Sequence, residues 1–141
     1  MIVLVDTPIW SLALRRKGTD LNAHEKRLSA ELEELIREGR AQLIGPVRQE
    51  LLSGIRLEAS FQKLRNYLRA FDEPQIDAVD YEEAAAIHNQ CRFRGIAGSS
   101  IDFLICAVAL RRDWRIFTTD QDFGRYGQAI PLKLHKPSDS L

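Results

Sequence analysis

The fold class this sequence predicts is α/β: one parallel sheet covered by helices on both faces. Three observations carry that expectation. Short apolar runs alternate with segments of helical periodicity along the whole chain. Residues 1–5 are apolar without alternation and rich in β-branched side chains, the pattern of a strand buried on both faces. No internal repeat and no linker divides the 141 residues, a length that suits a single domain with one core.

Each element then has a local reason. The strand at 1–5 stops at Asp6-Thr7-Pro8, where Asp or Thr caps a helix and Pro suits its first turn, so a short helix follows over 10–15. Residues 15–21 read as a charged loop around Gly18. Asn22 caps a second helix to about residue 38, with Leu28, Leu32, Leu35 and Ile36 at helical spacing and Gly39 beyond its end. Residues 41–44 form a short strand. Gly45-Pro46 breaks it and opens a helix over 46–53, stopped by Gly54. A helix over 58–71 places Phe61, Leu64 and Leu68 on one stripe. Residues 74–78 are predicted as a third short strand, and 80–94 as an Ala-rich helix ended by Gly95 and Gly98. Residues 101–110 are apolar except for Asp102, which predicts a central, buried helix. A strand at 115–118, a short helix at 122–126 and a last strand at 130–134 complete the chain, and the tail with Pro137 and two serines is expected to fray.

Composition excludes several functions. Apolar residues are 45% and charged residues 28%, which argues against disorder and against a small disulfide scaffold. Twenty basic residues face twenty acidic ones, so this is not a basic protein that coats nucleic acid. Fifteen of the basic residues are Arg, the better bidentate partner for phosphate or carboxylate. No stretch is long enough to span a membrane and no signal peptide is evident. Cys91 and Cys106 form no metal-binding pair and are expected to be buried, reduced thiols in a cytoplasmic protein.

The chemistry lies in the acids. Ligands of an open parallel sheet bind beyond the carboxyl ends of its strands, at the switch in strand order. Asp6 ends the first strand, Glu50 sits in the helix after the second, Asp102 opens the most apolar helix, and Asp120 follows the strand at 115–118, with Asp122 two residues on. Singly, each has a plain structural reading: Asp6 and Asp120 as helix caps, Asp102 in a capping box with Ser99, Glu50 as a solvated helix position, Asp122 in a polar turn. Jointly they repel unless protons or a cation neutralise them. Oxygen ligands without His or Cys select Mg²⁺, or Mn²⁺ in its place. Thr7, Thr118 and Thr119 offer hydroxyls at the same edge.

Four segments carry a family resemblance: Val3-Leu4-Val5-Asp6-Thr7, Pro46-Val47-Arg48-Gln49-Glu50-Leu51-Leu52-Ser53-Gly54, Ser100-Ile101-Asp102-Phe103-Leu104-Ile105-Cys106-Ala107 and Phe117-Thr118-Thr119-Asp120-Gln121-Asp122-Phe123. In this order they resemble a PIN-domain ribonuclease, specifically the VapC toxins of toxin–antitoxin pairs, over nearly the whole chain. The resemblance implies a single three-layer α/β/α PIN domain over 1–141 and Mg²⁺-dependent endonucleolytic cleavage of RNA. It also implies inhibition by a VapB-type antitoxin and a homodimer. Asp6, Glu50, Asp102 and Asp120 are then the catalytic, metal-binding acids, with Asp6 and Asp102 the main ligands and Asp122 an additional acid. Pro8 departs from the family pattern, where a small hydroxyl residue is frequent, and leaves Thr7 or Ser11 for that place.

Two other enzyme classes fit less well. A haloacid-dehalogenase-type phosphatase wants an acid at position 8, which is Pro, and a receiver domain wants paired acids after its first strand and a Lys after its last. The alternative from another class is a PIN-like module that binds RNA or protein without catalysis. Trp10, Leu12 and Leu14 beside Leu28, Leu32, Leu35 and Leu52 read as core, or as an apolar groove for an antitoxin helix or a second copy. Arg15, Arg16 and Lys17, and Arg92 with Arg94, are solvated positions or phosphate contacts. His24, His88 and His135 lack ligand spacing.

Overall fold

The computed structural model describes residues 1–137. The expected fraying of the tail concerns residues 138–141, outside the described residues. The elements run β1 (Val3–Val5), α1 (Thr7–Leu14), α2 (Ala23–Arg37), β2 (Ala41–Gln42), α3 (Gly45–Leu52), α4 (Glu58–Leu68), α5 (Ala78–Phe93), α6 (Ser100–Arg112), β3 (Arg115–Phe117) and α7 (Asp122–Tyr126), with a 3-10 turn at Gly18–Asp20. The sheet is parallel, in the order β2-β1-β3. Val3 stands opposite both Ala41 and Arg115, and Leu4 opposite Gln42 and Ile116.

That order makes the fold three-layered. The chain crosses from β1 to one side and returns past β1 to β3 on the other. Right-handed crossovers then put α1 and α2, between β1 and β2, on one face and α5 and α6, the last helices before β3, on the opposite face. On the first side α1 packs against α2 and α3; on the second, α5 packs against α6, and α6 against β3. Val3, Leu4 and Val5 have no exposed surface, as a central strand covered twice requires. α6 is buried continuously from Phe103 to Ala109, the central helix its apolar run predicts.

Local signals explain most boundaries. Asn22 caps α2 in a capping box with Glu25, each side chain bonding the other's backbone amide. α5 begins earlier than expected because Asp77, not Asp80, is its cap, in a second reciprocal box. α6 ends without a glycine. Asp113 takes the left-handed conformation at φ 58°, and its carboxylate accepts from Lys133 Nζ at 2.7 Å. Trp10, Leu32 and Leu35 are fully buried and Leu12 and Leu28 nearly so, with Leu14 and Leu52 packed against them; that stripe is core. Cys91 and Cys106 are buried free thiols.

Two expected strands need correction. Residues 72–77 form no strand. Their carbonyls are held by side chains instead: Gln42 Nε2 donates to Asp72 O at 2.8 Å and Arg112 Nη2 to Gln75 O at 3.2 Å, while Pro74 has no amide to give. The segment at 130–134 is reduced to one parallel bridge, Ile116 to Leu134, bounded by Ile116 N to Lys133 O and His135 N to Ile116 O. An earlier rung would need Trp114 N, which instead donates to Ala109 O at 2.9 Å, at the end of α6.

Candidate metal centre

Asp6 leaves the carboxyl end of the central strand, where the strand order reverses. Its amide still donates to Phe117 O at 2.9 Å, the last rung of the β1–β3 pairing, so its position follows from sheet register. The side chain is 5% exposed. One oxygen, Oδ1, accepts from Thr7 N at 2.9 Å and caps α1; the other, Oδ2, accepts from Thr118 Oγ1 at 2.8 Å. The cap and the site role therefore coexist in one carboxylate.

The threonines tie the edge together. Thr118 Oγ1 also accepts from Asp120 N at 3.0 Å, which folds the chain back after β3. Asp120 Oδ1 in turn accepts from Asp122 N at 2.9 Å, in the turn that starts α7. On the other flank Thr7 Oγ1 donates to Glu50 Oε2 at 2.8 Å, joining α1 to α3. Ser11 lies farther along α1, in an open groove with Pro8, Leu12 and Thr119.

Asp102 sits at the third position of α6. Its amide donates to Ser99 Oγ at 3.1 Å, so Ser99 is the cap, while the Asp102 carboxylate turns to a different partner: Tyr126 OH donates to Oδ2 at 2.8 Å. One oxygen each from Asp102, Asp120 and Asp122 lies within 4.8 Å of the other two. Asp122, the least marked acid in the sequence, is thus a member of the tightest carboxylate group among the described residues. Asp6 and Glu50 border it through the threonine bonds and through charge repulsion felt at Asp6 from Asp102 and Glu50.

Charge accumulates here against solvation. Burial pushes the Asp6 carboxyl up to about 6; the bonds from Thr118 and Thr7 oppose that rise, and Asp102 and Glu50 add to it. Burial also raises Asp102, with Asp120 and Asp122 contributing repulsion. The donors to Asp6 and Asp102 described above are amides and hydroxyls, which are neutral and leave the negative charge in place. Arg125 pairs with Asp122 only at the rim. An all-oxygen, mutually repelling set, half-buried at Asp102, Asp120 and Asp122 and buried at Asp6, fits a hard divalent cation, which would reverse each of these shifts. Asp102, Asp120, Asp122 and Asp6 are the residues that could hold it.

Other singled-out residues have structural partners. Arg16 pairs with Glu25 at 2.7 Å, Arg94 donates to Gln128 O, His135 meets Glu31 at 2.8 Å, and His88 stacks on Phe103. Sequence reasoning missed Tyr126. Its signal was present only as an aromatic one turn beyond Asp122.

Comparison with known proteins supplies a family. The PIN domain model matches residues 3–129. Among curated proteins, no significant match is found. Among solved structures, the chain is similar to one in the crystal structure of FitAcB from Neisseria gonorrhoeae, at 21% identity and TM-score 0.75, covering 96% of this chain and 98% of that one. It is also similar to one in VapBC2 from Rickettsia felis bound to a promoter DNA fragment, at 18% identity and TM-score 0.71, covering 96% and 98%. A third is VapBC-1 from nontypeable Haemophilus influenzae, at 16% identity and TM-score 0.68, covering 96% and 97%. At these identities the likeness concerns the fold.

Proposed function

Because the chain belongs to the PIN domain family, we propose that it is a single PIN domain over 1–141 acting as a Mg²⁺-dependent endoribonuclease, the VapC-type toxin of a toxin–antitoxin pair. The observation that carries this reading is the convergence of acids from four segments on one sheet edge, with Asp102, Asp120 and Asp122 within 4.8 Å. A scaffold without catalysis has no use for that repulsion, which weighs against a purely binding module.

Mg²⁺ held there supplies positive charge to the scissile phosphate and acidifies water. The remaining work falls to the chain. Thr118 holds Asp6 in one orientation, and the Asp120 amide bond to the same hydroxyl fixes the loop that presents Asp120 and Asp122. Glu50 is exposed, with Oε2 engaged by Thr7, which leaves Oε1 to take the proton of the attacking water. Water adds to phosphorus as the bond to the leaving ribose oxygen breaks, and that oxygen is protonated from solvent.

The solved structures of FitAcB and VapBC proteins support a VapB-type antitoxin as partner. Val79, Tyr81 and Phe93 on α5 and Ile101 on α6 are exposed, and support a homodimer. No helix among the described residues is long and apolar enough to cross a membrane; a cytoplasmic place of action belongs to the toxin reading itself. Sixteen acids against twenty bases remain once Asp6, Asp102, Asp120 and Asp122 are assigned to the metal, an excess that suits local contact with RNA phosphate.

The test is cleavage of RNA with Mg²⁺ by the wild type, Asp6→Asn and Asp102→Asn. Wild-type cleavage lost in both variants is expected. Full activity in both overturns the reading, and Mg²⁺ binding without cleavage favours the binding module.

A further inference from the structure

Tyr126 is fully buried, yet its hydroxyl must find a partner. It reaches the carboxylate of Asp102, at 2.8 Å, across 24 residues of sequence. Three features hold it there. Its ring packs on Phe103 at 5.1 Å and on Phe123 at 5.2 Å, so aromatic contacts from α6 and α7 fix its plane. Its backbone closes α7, the helix that starts at Asp122. Gly98 clears the space: a Cβ built there would lie 2.5 Å from the Tyr126 hydroxyl oxygen and 2.6 Å from Phe103 Cζ. Gly98 carries no positive φ, so its lack of a side chain serves room and not backbone conformation.

One hydrogen bond thus links the two parts of the carboxylate group. Asp102 comes from α6, while Asp120 and Asp122 come from the turn that enters α7. Resting on the metal-nuclease reading above, we propose that Tyr126 is a positioning residue. Its hydroxyl locks the Asp102 carboxylate in the orientation that completes the cation site, and Gly98 is the clearance that lets it do so. Partners that orient a ligand carboxylate typically account for roughly 10- to 100-fold in metal affinity.

The experiment is calorimetric titration of Mn²⁺ into the full chain, wild type against Tyr126→Phe, with the unfolding midpoint of each measured in chelator. The Phe ring keeps the packing, so folding is expected to persist while Mn²⁺ affinity falls by roughly 10- to 100-fold and RNA cleavage falls with it. Unchanged affinity in a wild type that binds Mn²⁺ overturns the positioning role and leaves the nuclease reading standing. Failure of the wild type itself to bind Mn²⁺ overturns both. Should Tyr126→Phe not fold, a Tyr67→Phe, Tyr81→Phe chain keeps Tyr126 as its sole tyrosine. Mn²⁺ should then shift the ultraviolet absorption of that tyrosine, and a chain that binds Mn²⁺ with no shift overturns the proposal.

Discussion

Asp80→Asn is expected to destabilise the protein while sparing the metal site. Asp80 has no exposed surface and sits in the first turn of α5. Its Oδ1 accepts from Arg112 at 2.7 Å and Arg111 at 2.8 Å, and its Oδ2 from Arg112 at 3.1 Å and from Asp77 N at 3.0 Å. One carboxylate therefore binds the start of α5 to the end of α6. The amide puts a donor where one of these oxygens accepts, so at least one Arg contact or the capping-box bond is lost. Removing one partner of a buried pair costs about 3–5 kcal/mol. Here the arginine side chains keep 21% and 32% of their surface, and Arg112 retains Val108 O, Gln75 O and the Trp114 ring. The charges left behind stay partly solvated, which lowers the expectation to about 2–3 kcal/mol. For a chain of this size that is a fall in melting temperature on the order of 5–10 °C.

The pH dependence has a definite sign. Arg112, the largest influence, with the Asp77 amide and Arg111, holds the Asp80 carboxyl well below the usual range. A depressed carboxyl contributes stability above the unfolded value of about 4 and loses it as pH falls towards the folded value. Urea unfolding followed by circular dichroism should show a wild-type advantage that is flat from neutral pH to about 5 and shrinks below about 4. Equal stability at pH 7, or an advantage that grows on acidification, refutes the reasoning. Asp102 lies at the opposite end of α6 from Arg111 and Arg112, so folded Asp80→Asn should bind Mn²⁺ as the wild type does.

Three further expectations follow from the same contacts. In chelator, Asp6→Asn should unfold at a higher temperature than the wild type. Asn still caps a helix, and the raised carboxyl, at about 6, costs stability as pH rises from about 4 to that value. At pH 7 this is at most about 3 kcal/mol, and a lower midpoint refutes it. Saturating Mg²⁺ should raise the wild-type midpoint by the linkage relation, about 2.7 kcal/mol at a hundredfold excess over the dissociation constant; Asp102→Asn should lose most of that gain, and an equal gain in both excludes Asp102 as a ligand. Burial pushes both thiols up, Cys106 strongly, so a thiol reagent should label Cys91 and Cys106 only on unfolding; rapid labelling of native protein contradicts the packing of α5 on α6.

The alternation of elements was legible because its signals are local. Asn22 and Glu25 meet within one turn, Pro8 and Gly54 act on their own backbone, and the apolar run after Asp102 names its own burial. The strand expected at 74–78 was misread because its β character was overruled from outside, by Arg112 taking the Gln75 carbonyl and by the start of α5 at Ala78. Asp77 was passed over as the cap of α5 although its box with Asp80 lies three residues apart, a signal present in the sequence and not used.

The sequence by itself determined which acids exist, that Asp6 and Asp120 follow strands while Glu50 and Asp102 lie on helices, and that no Lys, His or Cys stands beside them to share their charge by motif. Tertiary structure decided how they group. Parallel register places Thr118 against Asp6 across 112 residues, and the turn into α7 draws Asp122 into the tightest group while Glu50 is held one threonine away. Tyr126 meets Asp102 only because Gly98 leaves the room. Such distances depend on the relative placement of whole elements, which is set by packing around the core, and local chain preferences carry no information about it.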